Sequence, residues 1–194
     1  MIITISGNPG SGKSTVAKLL VKKLSWERIY VGGIRRDLAK KKGMTLEEFN
    51  AYAQTHFKEA DQEVDKQAAK QAQELDKKGK SVIVEGRVQF HFLPESLKIY
   101  IQVSDEEGAR RVWKDLQDKD ANADRNEGKI NSLTETKKSI IYREERDARR
   151  YKKYYGFDHR DLSQFDLLID STEISAEEVT RKIINFIKKQ KKVK

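Results

Sequence analysis

The residues with the clearest chemical capacity lie in a glycine-rich stretch near the amino terminus. Residues 7–14 match the spacing GxxxxGK[ST], in which glycines let the backbone curl so that consecutive amides point inward. A helix that follows such a loop aims its positive end at the same point, so the loop can hold a chain of phosphates. Lys13 would neutralise the outer phosphates, and Ser14 would ligate Mg²⁺. The residues predicted to contact phosphate are Gly7, Asn8, Pro9, Gly10, Ser11, Gly12, Lys13, Ser14 and Thr15.

Two arginines and a glutamate follow predicted strands, where a second phosphate group could bind. Arg36 comes soon after the apolar run 28–31, and Arg87 follows the run 81–85. The carboxyl ends of parallel strands face the crevice that holds the phosphate loop, and arginine there can grip an oxyanion with two hydrogen bonds. Glu85 closes the second run and either holds a Mg²⁺-bound water or simply caps the strand.

A third charged group lies in the segment 143–151, which is predicted to be helical. Arg143, Asp147 and Arg150 fall at i, i+4 and i+7, so they form one stripe along the helix. If that stripe faces the crevice, it offers guanidinium groups to phosphate and a carboxylate to a ribose or to the arginines. An exposed helix stitched by ion pairs explains the pattern equally well. An apolar stripe that would dock the helix contains Ile141, Ala148, Tyr151 and Tyr155.

The apolar runs of the chain predict the sheet that positions these groups. Runs of strand length occur at 1–5, 28–31, 81–85, 97–103 and 166–170, and the segments between them are long enough for crossover helices. Such alternation predicts an α/β fold, with a five-stranded parallel sheet and helices on both faces.

Capping boxes mark where several helices should begin. In each box a hydroxyl residue is followed three positions later by a glutamate, and the two side chains satisfy free amides of the first turn. The boxes predict helices after residues 45, 104, 132 and 175. They consist of Thr45 with Glu48, Ser104 with Glu107, Ser132 with Glu135, and Ser175 with Glu178.

Composition limits the other classes of function. The 194-residue chain has a net charge of +9, but five lysines stand in its last seven residues, so the charge does not require a nucleic-acid partner. There is no cysteine, and the three histidines are not spaced as metal ligands, which excludes disulfides and argues against zinc. No apolar stretch approaches the roughly twenty residues that cross a bilayer. We therefore expect a cytoplasmic monomer without a membrane partner.

The order of these motifs resembles that of the archaeal-type cytidylate kinases, a branch of the nucleoside monophosphate kinase family of P-loop kinases. The resemblance runs almost end to end. It implies one kinase domain over residues 1–187, with a monophosphate-binding region at about 32–75, a small mobile lid at about 112–131 and a basic tail at 188–194. The matching stretches are 7–15, 32–39, 42–49, 85–87, 143–144, 150–152 and 155–158.

The resemblance also implies a reaction. ATP would give its γ-phosphoryl group to CMP or dCMP with Mg²⁺ as cofactor, while Lys13, Arg87 and Arg143 would stabilise the transferring group. The lid would contribute Arg110, Arg111 and Lys114. The monophosphate site would contain Arg36, Arg87, Arg143, Asp147 and Arg150.

The segment 115–131 carries most of the predicted lid. It holds four aspartates and three asparagines with few apolar side chains, so its composition fits an ordinary solvated loop as well as a mobile lid. Such kinases have a further lid arginine where this chain has Asp115. Lys114 or Arg125 would have to replace it.

Two departures from the family pattern bear on the acceptor. Residues 88–92 stand where such kinases carry a small-residue and tryptophan segment after the EGR motif, and the resemblance implies that this segment contacts the base. Tyr30 or Val31 replaces the hydroxyl-bearing residue expected near the end of the second strand, where ribose contacts would be made.

Other functions stay open from the sequence. A kinase for AMP or UMP would share every phosphate contact and differ in the base pocket alone. A non-catalytic or nucleic-acid-associated ATP-binding protein would keep the loop without the transfer. A guanine-nucleotide switch is not expected, because the chain lacks an NKxD motif.

Overall fold

The protein is built on one parallel sheet. The computed structural model describes residues 1–118, 121–122, 125 and 130–192. Of residues 191 and 192 it describes the backbone alone. The strands pair in parallel in the order β2-β3-β1-β4-β5, which confirms the predicted five-stranded sheet. They are β1 (Ile2–Ser6), β2 (Glu27–Tyr30), β3 (Val82–Glu85), β4 (Leu97–Gln102) and β5 (Leu167–Asp170).

Helices join the strands and flank the sheet. A π-helical turn at Lys58–Gln62 precedes α4, and a 3₁₀ turn at Leu162–Gln164 precedes β5. In the part of the chain that the structure describes, no helix combines the length and apolar character needed to cross a bilayer. The helices are α1 (Lys13–Leu24), α2 (Val31–Lys41), α3 (Leu46–Tyr52), α4 (Glu63–Lys77), α5 (Gln89–Phe92), α6 (Asp105–Gln117), α7 (Leu133–Tyr155) and α8 (Ala176–Lys192).

Each predicted capping box lies at a helix start. The Thr45 hydroxyl accepts a hydrogen bond from the Glu48 amide at 3.2 Å, and the Glu48 carboxylate accepts one from the Thr45 amide at 2.7 Å. Ser104, Ser132 and Ser175 each accept a hydrogen bond from the amide three residues on, at 3.1–3.3 Å. These caps fix where α3, α6, α7 and α8 begin.

Apolar side chains cover both faces of the sheet. Successive residues of a strand point to opposite faces, so Ile2 packs toward α2 and α4 while Ile3 packs toward α1 and α8. The same alternation divides Val82 from Ile83 in β3. The layer against α1 and α8 contains Ile3, Ile5, Val16, Ala17, Leu20, Ile83, Ile99, Ile101, Ile169, Val179, Ile183 and Ile187.

The predicted lid and tail are only partly described. Residues 112–117 belong to α6, and residues 130 and 131 lead into α7. Positions 119–120, 123–124 and 126–129 of the lid, and 193–194 of the tail, lie outside the described residues. The division into lid, monophosphate-binding region and tail stays a prediction.

Two glycines let the phosphate loop approach α6 closely. Gly10 has a φ of +78°, and a Cβ added to it would lie 2.4 Å from the carbonyl oxygen of Gly108. A Cβ added to Gly108 would in turn lie 2.9 Å from the carbonyl oxygen of Pro9. Side chains at either position would force backbone atoms apart, so this contact sets the position of the loop against α6.

Replacing Gly108 with alanine tests the contact. In a helix without neighbours alanine is favoured over glycine by about 1 kcal/mol, but here the new methyl group would press on Pro9. We expect Gly108→Ala to lower the Tm and to weaken ATP binding, as measured by thermal unfolding and titration calorimetry. A variant that is more stable and binds ATP normally would contradict the close packing.

Candidate active site

The phosphate loop joins β1 to α1 and curls around the side chain of Lys13. The Lys13 ammonium donates hydrogen bonds to the carbonyls of Gly7 and Asn8, at 2.7 and 2.8 Å, and lies 3.4 Å from the Ser11 hydroxyl. Asn8 ties the loop to the end of β4, because its side chain donates to the Val103 carbonyl and accepts from the Val103 amide. The loop is therefore held in shape from both sides.

Lys13 shares its cleft with other cations. Burial, assisted by the positive charges of Arg87 and Arg143, lowers the pKa of Lys13 to about 7. The Ser6 hydroxyl also donates to the Arg87 carbonyl at 3.4 Å, which joins the end of β1 to the loop after β3. The charges of Glu85 and Glu144 act on the pKa of Lys13 in the opposite direction. A phosphate bound beside Lys13 would raise this pKa again.

The predicted metal residues lie in contact with each other. The Ser14 hydroxyl donates to Glu85 at 2.5 Å, and Arg28 pairs with the other oxygen of the same buried carboxylate. Hydroxyl and carboxylate oxygens are ligands that Mg²⁺ prefers, so the pair fits the predicted role. Within the described ranges no group of three His, Cys, Asp or Glu side chains could hold a metal. Mg²⁺ is octahedral and usually keeps several water ligands, so a site with few protein oxygens leaves positions for water and phosphate oxygens.

Arg87 reaches from the end of β3 to the long helix α7. Its guanidinium pairs with Glu144 at 2.6 Å and with Asp147 at 2.5 Å. Burial raises the pKa of Glu144, but the charge of Arg87 together with the hydrogen bond and charge of His159 outweighs burial and lowers that pKa to about 2. Burial also raises the pKa of Asp147, but the charges of Arg87, Arg150, Arg35 and Arg143 together hold it well below its usual range. Both carboxylates are therefore charged at neutral pH.

Arg150 is fully buried in the interior of the protein. Its side chain is 0% exposed, and its guanidinium lies 2.8 Å from Asp61 and 2.8 Å from Asp147. Asp61 also pairs with Arg35 at 2.8 Å. The predicted stripe on α7 thus belongs to a continuous set of charges, here called the buried ion-pair network. Its members are Arg35, Asp61, Arg87, Glu144, Asp147 and Arg150.

Several charged residues of this region were not predicted from the sequence. Arg35 donates to Asn50 at 3.1 Å, and Arg146 is largely buried over the ring of Tyr142. Asp61 follows no strand and belongs to no motif. Its spacing could have predicted its burial, because Asp61 lies on the same helical face as the buried alanines of α4. A charged residue in such a face needs a partner of opposite charge.

Arg36 and Arg143 line other parts of the site. Arg36 donates to the Tyr30 hydroxyl at 2.5 Å and to the Arg125 carbonyl at 3.1 Å, so it reaches from α2 toward the predicted lid. Arg143 lines a cavity of about 20 Å³ between α3 and α7, together with Asn50. A cavity of this size has room for about one water molecule.

The three predicted lid residues differ in their surroundings. Arg110 is exposed and pairs with Glu107, and Lys114 is exposed. Arg111 instead donates to the carbonyls of Gly10 and Ser171, at 3.3 and 2.7 Å, and so braces the phosphate loop against the segment after β5.

Asp115 stands where such kinases carry a further lid arginine. It pairs with Arg125 at 2.7 Å, which places a guanidinium beside this position. The prediction that Arg125 or Lys114 replaces the missing arginine remains a prediction.

Comparisons with known proteins identify the family of this chain. A family model described as an AAA domain matches residues 3–132, which include the phosphate loop. A cytidylate kinase of Archaeoglobus fulgidus is 38% identical over 98% of this chain and 97% of its own length. A cytidylate kinase of Sulfurisphaera tokodaii is 36% identical over 96% of this chain and 97% of its own length. The chain belongs to the cytidylate kinase family.

Solved structures give the same fold at lower identity. The shikimate kinase of Acinetobacter baumannii in complex with shikimate has a TM-score of 0.57 and 16% identity, over 98% of this chain and 94% of that one. An uncharacterised protein of Eubacterium ventriosum has a TM-score of 0.61 and 17% identity, over 97% and 98% of the two chains. These likenesses support the α/β kinase fold that the cytidylate kinase family shares.

One buried carboxyl group of this cytidylate kinase family member stands apart from the ion pairs. Asp65 accepts hydrogen bonds from Gln89 at 2.8 Å and from the Tyr155 hydroxyl at 2.7 Å. Burial, assisted by the charge of Asp61, raises the pKa of Asp65 to about 7. The group is therefore neutral in acid and becomes charged near neutral pH.

Asp65→Asn should change the pH dependence of stability. The folded-state pKa of about 7 lies above the ordinary value of 3.8, so Asp65 stabilises the fold below about pH 4 and loses this contribution as pH rises toward 7. We expect the Tm of Asp65→Asn, relative to the native protein, to increase between pH 5 and pH 8. Glu63→Gln on the exposed side of α4 is the control and should give a constant difference. A constant difference for Asp65→Asn would contradict the prediction.

Proposed function

We propose that this protein is a cytidylate kinase, which transfers the γ-phosphoryl group of ATP to CMP or dCMP and releases ADP with CDP or dCDP. One observation carries the proposal beyond family membership. The phosphate loop follows β1 and Arg87 follows the neighbouring strand β3, and the Ser6 hydroxyl at the end of β1 donates to the Arg87 carbonyl at 3.4 Å, so both groups lie at the same edge of the sheet. Donor and acceptor phosphates bound there would meet at Lys13.

The transfer needs positioning and charge neutralisation from the protein. An oxygen of the CMP phosphate attacks the γ-phosphorus of ATP, and the bond from that phosphorus to the β–γ bridging oxygen breaks. The attacking oxygen is already anionic, so no general base is needed. Lys13 would leave the carbonyls of Gly7 and Asn8 and bind the β and γ phosphates as negative charge spreads over the transferring group.

The acceptor phosphate would be held by arginines at the opposite wall of the cleft. Arg87 presents a partly buried guanidinium there, and Arg36 and Arg143 are carried by α2 and α7. Asp147 would keep Arg87 and Arg150 oriented, since it pairs with both. Fixed guanidinium groups can bind the oxyanion in two places and align it for attack.

Mg²⁺ is the cofactor that this proposal includes. Ser14 and Glu85 would hold it, directly and through a water molecule respectively, and it would neutralise charge between the β and γ phosphates. The proposal further includes a monomeric protein that acts in the cytoplasm.

An acceptor panel tests the proposed function. ADP release should be measured with ATP and Mg²⁺ and with CMP, dCMP, UMP, AMP or GMP in turn. We expect strong turnover with CMP or dCMP alone. Turnover with another monophosphate would keep the mechanism and change the substrate, and no turnover with any acceptor would overturn the kinase proposal.

Two variants should separate the donor side from the acceptor side. Lys13→Met removes the charge at the transferring phosphate, so we expect transfer to CMP and slow ATP hydrolysis both to fall by at least about a hundredfold. Arg87→Lys keeps the charge but loses the two-point grip, so we expect the KM for CMP to rise by about tenfold with ATP hydrolysis little changed. Equal loss of ATP hydrolysis in both variants would contradict this division, and the Tm of each variant controls for folding.

A further inference from the structure

Tyr30 lies in β2, the edge strand of the sheet that pairs with β3. It is the last residue of that strand and pairs in register with Glu85 of β3. Its ring lies against the first turn of α2. A Cβ added to Gly33 would lie 2.5 Å from this ring, and one added to Gly32 would lie 3.0 Å from it. Two glycines in a helix are unfavourable by about 1 kcal/mol each relative to alanine, and here they make room for the ring.

The Tyr30 hydroxyl contacts the arginine expected to bind the acceptor phosphate. Arg36 Nη1 donates to this hydroxyl at 2.5 Å and to the Gly32 carbonyl at 3.2 Å. The guanidinium carbon of Arg36 lies 5.9 Å from the centre of the ring. The long arginine side chain is therefore fixed at its charged end, which reduces the rotamer freedom lost when a phosphate binds.

The same ring also contacts the side chain that holds the metal-binding glutamate. Arg28 and Tyr30 are two residues apart in β2, so their side chains share one face of the strand. The Arg28 guanidinium lies over the Tyr30 ring at 4.6 Å from its centre and pairs with Glu85, which accepts the Ser14 hydroxyl. A continuous series of contacts therefore runs from Ser14 to Arg36 by way of Tyr30.

We propose that Tyr30 is a positioning residue for the acceptor phosphate: its hydroxyl holds the Arg36 guanidinium in place, and its ring packs Arg28 against Glu85. This inference rests on the proposed binding of a nucleoside monophosphate. It assigns a role to the residue that departs from the family pattern at the end of the second strand. The phenol acts on Arg36 rather than on the nucleotide itself.

Tyr30→Phe tests the inference, because phenylalanine keeps the ring and removes the hydroxyl. Binding of CMP in the absence of ATP should be measured by titration calorimetry, together with the KM and kcat for both substrates. We expect about tenfold weaker CMP binding and a correspondingly higher KM for CMP, the effect of losing one hydrogen bond to a charged group. The kcat and the affinity for ATP should stay within about twofold.

Two further variants separate positioning from folding. Tyr154→Phe removes an exposed hydroxyl that donates to the Gln54 carbonyl, and it should leave CMP binding unchanged. Gly33→Ala keeps both Tyr30 and Arg36 but displaces the ring, so it should reproduce the weaker CMP binding even if Tyr30→Phe folds poorly. The Tm of each variant reports general destabilisation, which would affect both substrates alike.

A double-mutant cycle checks that Tyr30 acts through Arg36. In an Arg36→Met background, Tyr30→Phe should weaken CMP binding by less than about twofold, because the group that it positions is gone. If Tyr30→Phe weakened CMP binding about tenfold in the Arg36→Met background as well, the inference would be overturned. Normal CMP binding by both Tyr30→Phe and Gly33→Ala would overturn it too. Failure of the native protein to bind CMP would instead overturn the proposed function on which the inference rests.

Discussion

Buried positive charge is the constraint on which the acceptor side of this protein depends. A guanidinium taken out of water costs several kcal/mol unless a carboxylate and good hydrogen bonds replace the solvent. Arg35, Arg87 and Arg150 each lie within 2.8 Å of an aspartate or glutamate. Since these carboxylates come from both the π-helical turn before α4 and the helix α7, the network fixes these elements against each other. Loss of one member would leave an unpaired charge in the interior.

The same network bears on the proposed binding of phosphate by Arg87. Glu144 and Asp147 remain charged at neutral pH, so a phosphate bound there would compete with two carboxylates for Arg87. The phosphate would replace or join a carboxylate beside Arg87, so Arg87 would not have to lose its water contacts again for the reaction. The cavity between α3 and α7 is about 20 Å³, whereas ligand pockets usually measure hundreds of cubic ångströms. A nucleoside that bound there would have to separate these helices, and closure around it would exclude water from the cleft.

Local signals predicted the parts of the structure that depend on neighbours in sequence. The branched runs gave the strands, and hydroxyl–glutamate pairs such as Ser104 with Glu107 gave the helix starts, because each acts over three or four residues. The burial of Arg150 could not be predicted in this way. Its partner Asp61 lies 89 positions away, and the spacing of Arg143, Asp147 and Arg150 is the same on an exposed helix as on a buried one. The sequence therefore shows which residues are charged, but it does not show which of them form ion pairs.

The donor and acceptor sides of the cleft differ in how far the hydrogen-bonded sheet supports them. The phosphate loop leaves the central strand β1, and Glu85 closes the adjacent strand β3, so the donor side is anchored in the sheet. Arg36 lies on α2, beyond the edge strand β2, and Arg143 lies on α7. Side chains must position those two groups, through contacts such as that of Arg36 with Tyr30. A donor site built on paired strands could therefore stay rigid while the helices that carry Arg36 and Arg143 move, as the proposed reaction between two separately bound nucleotides would require.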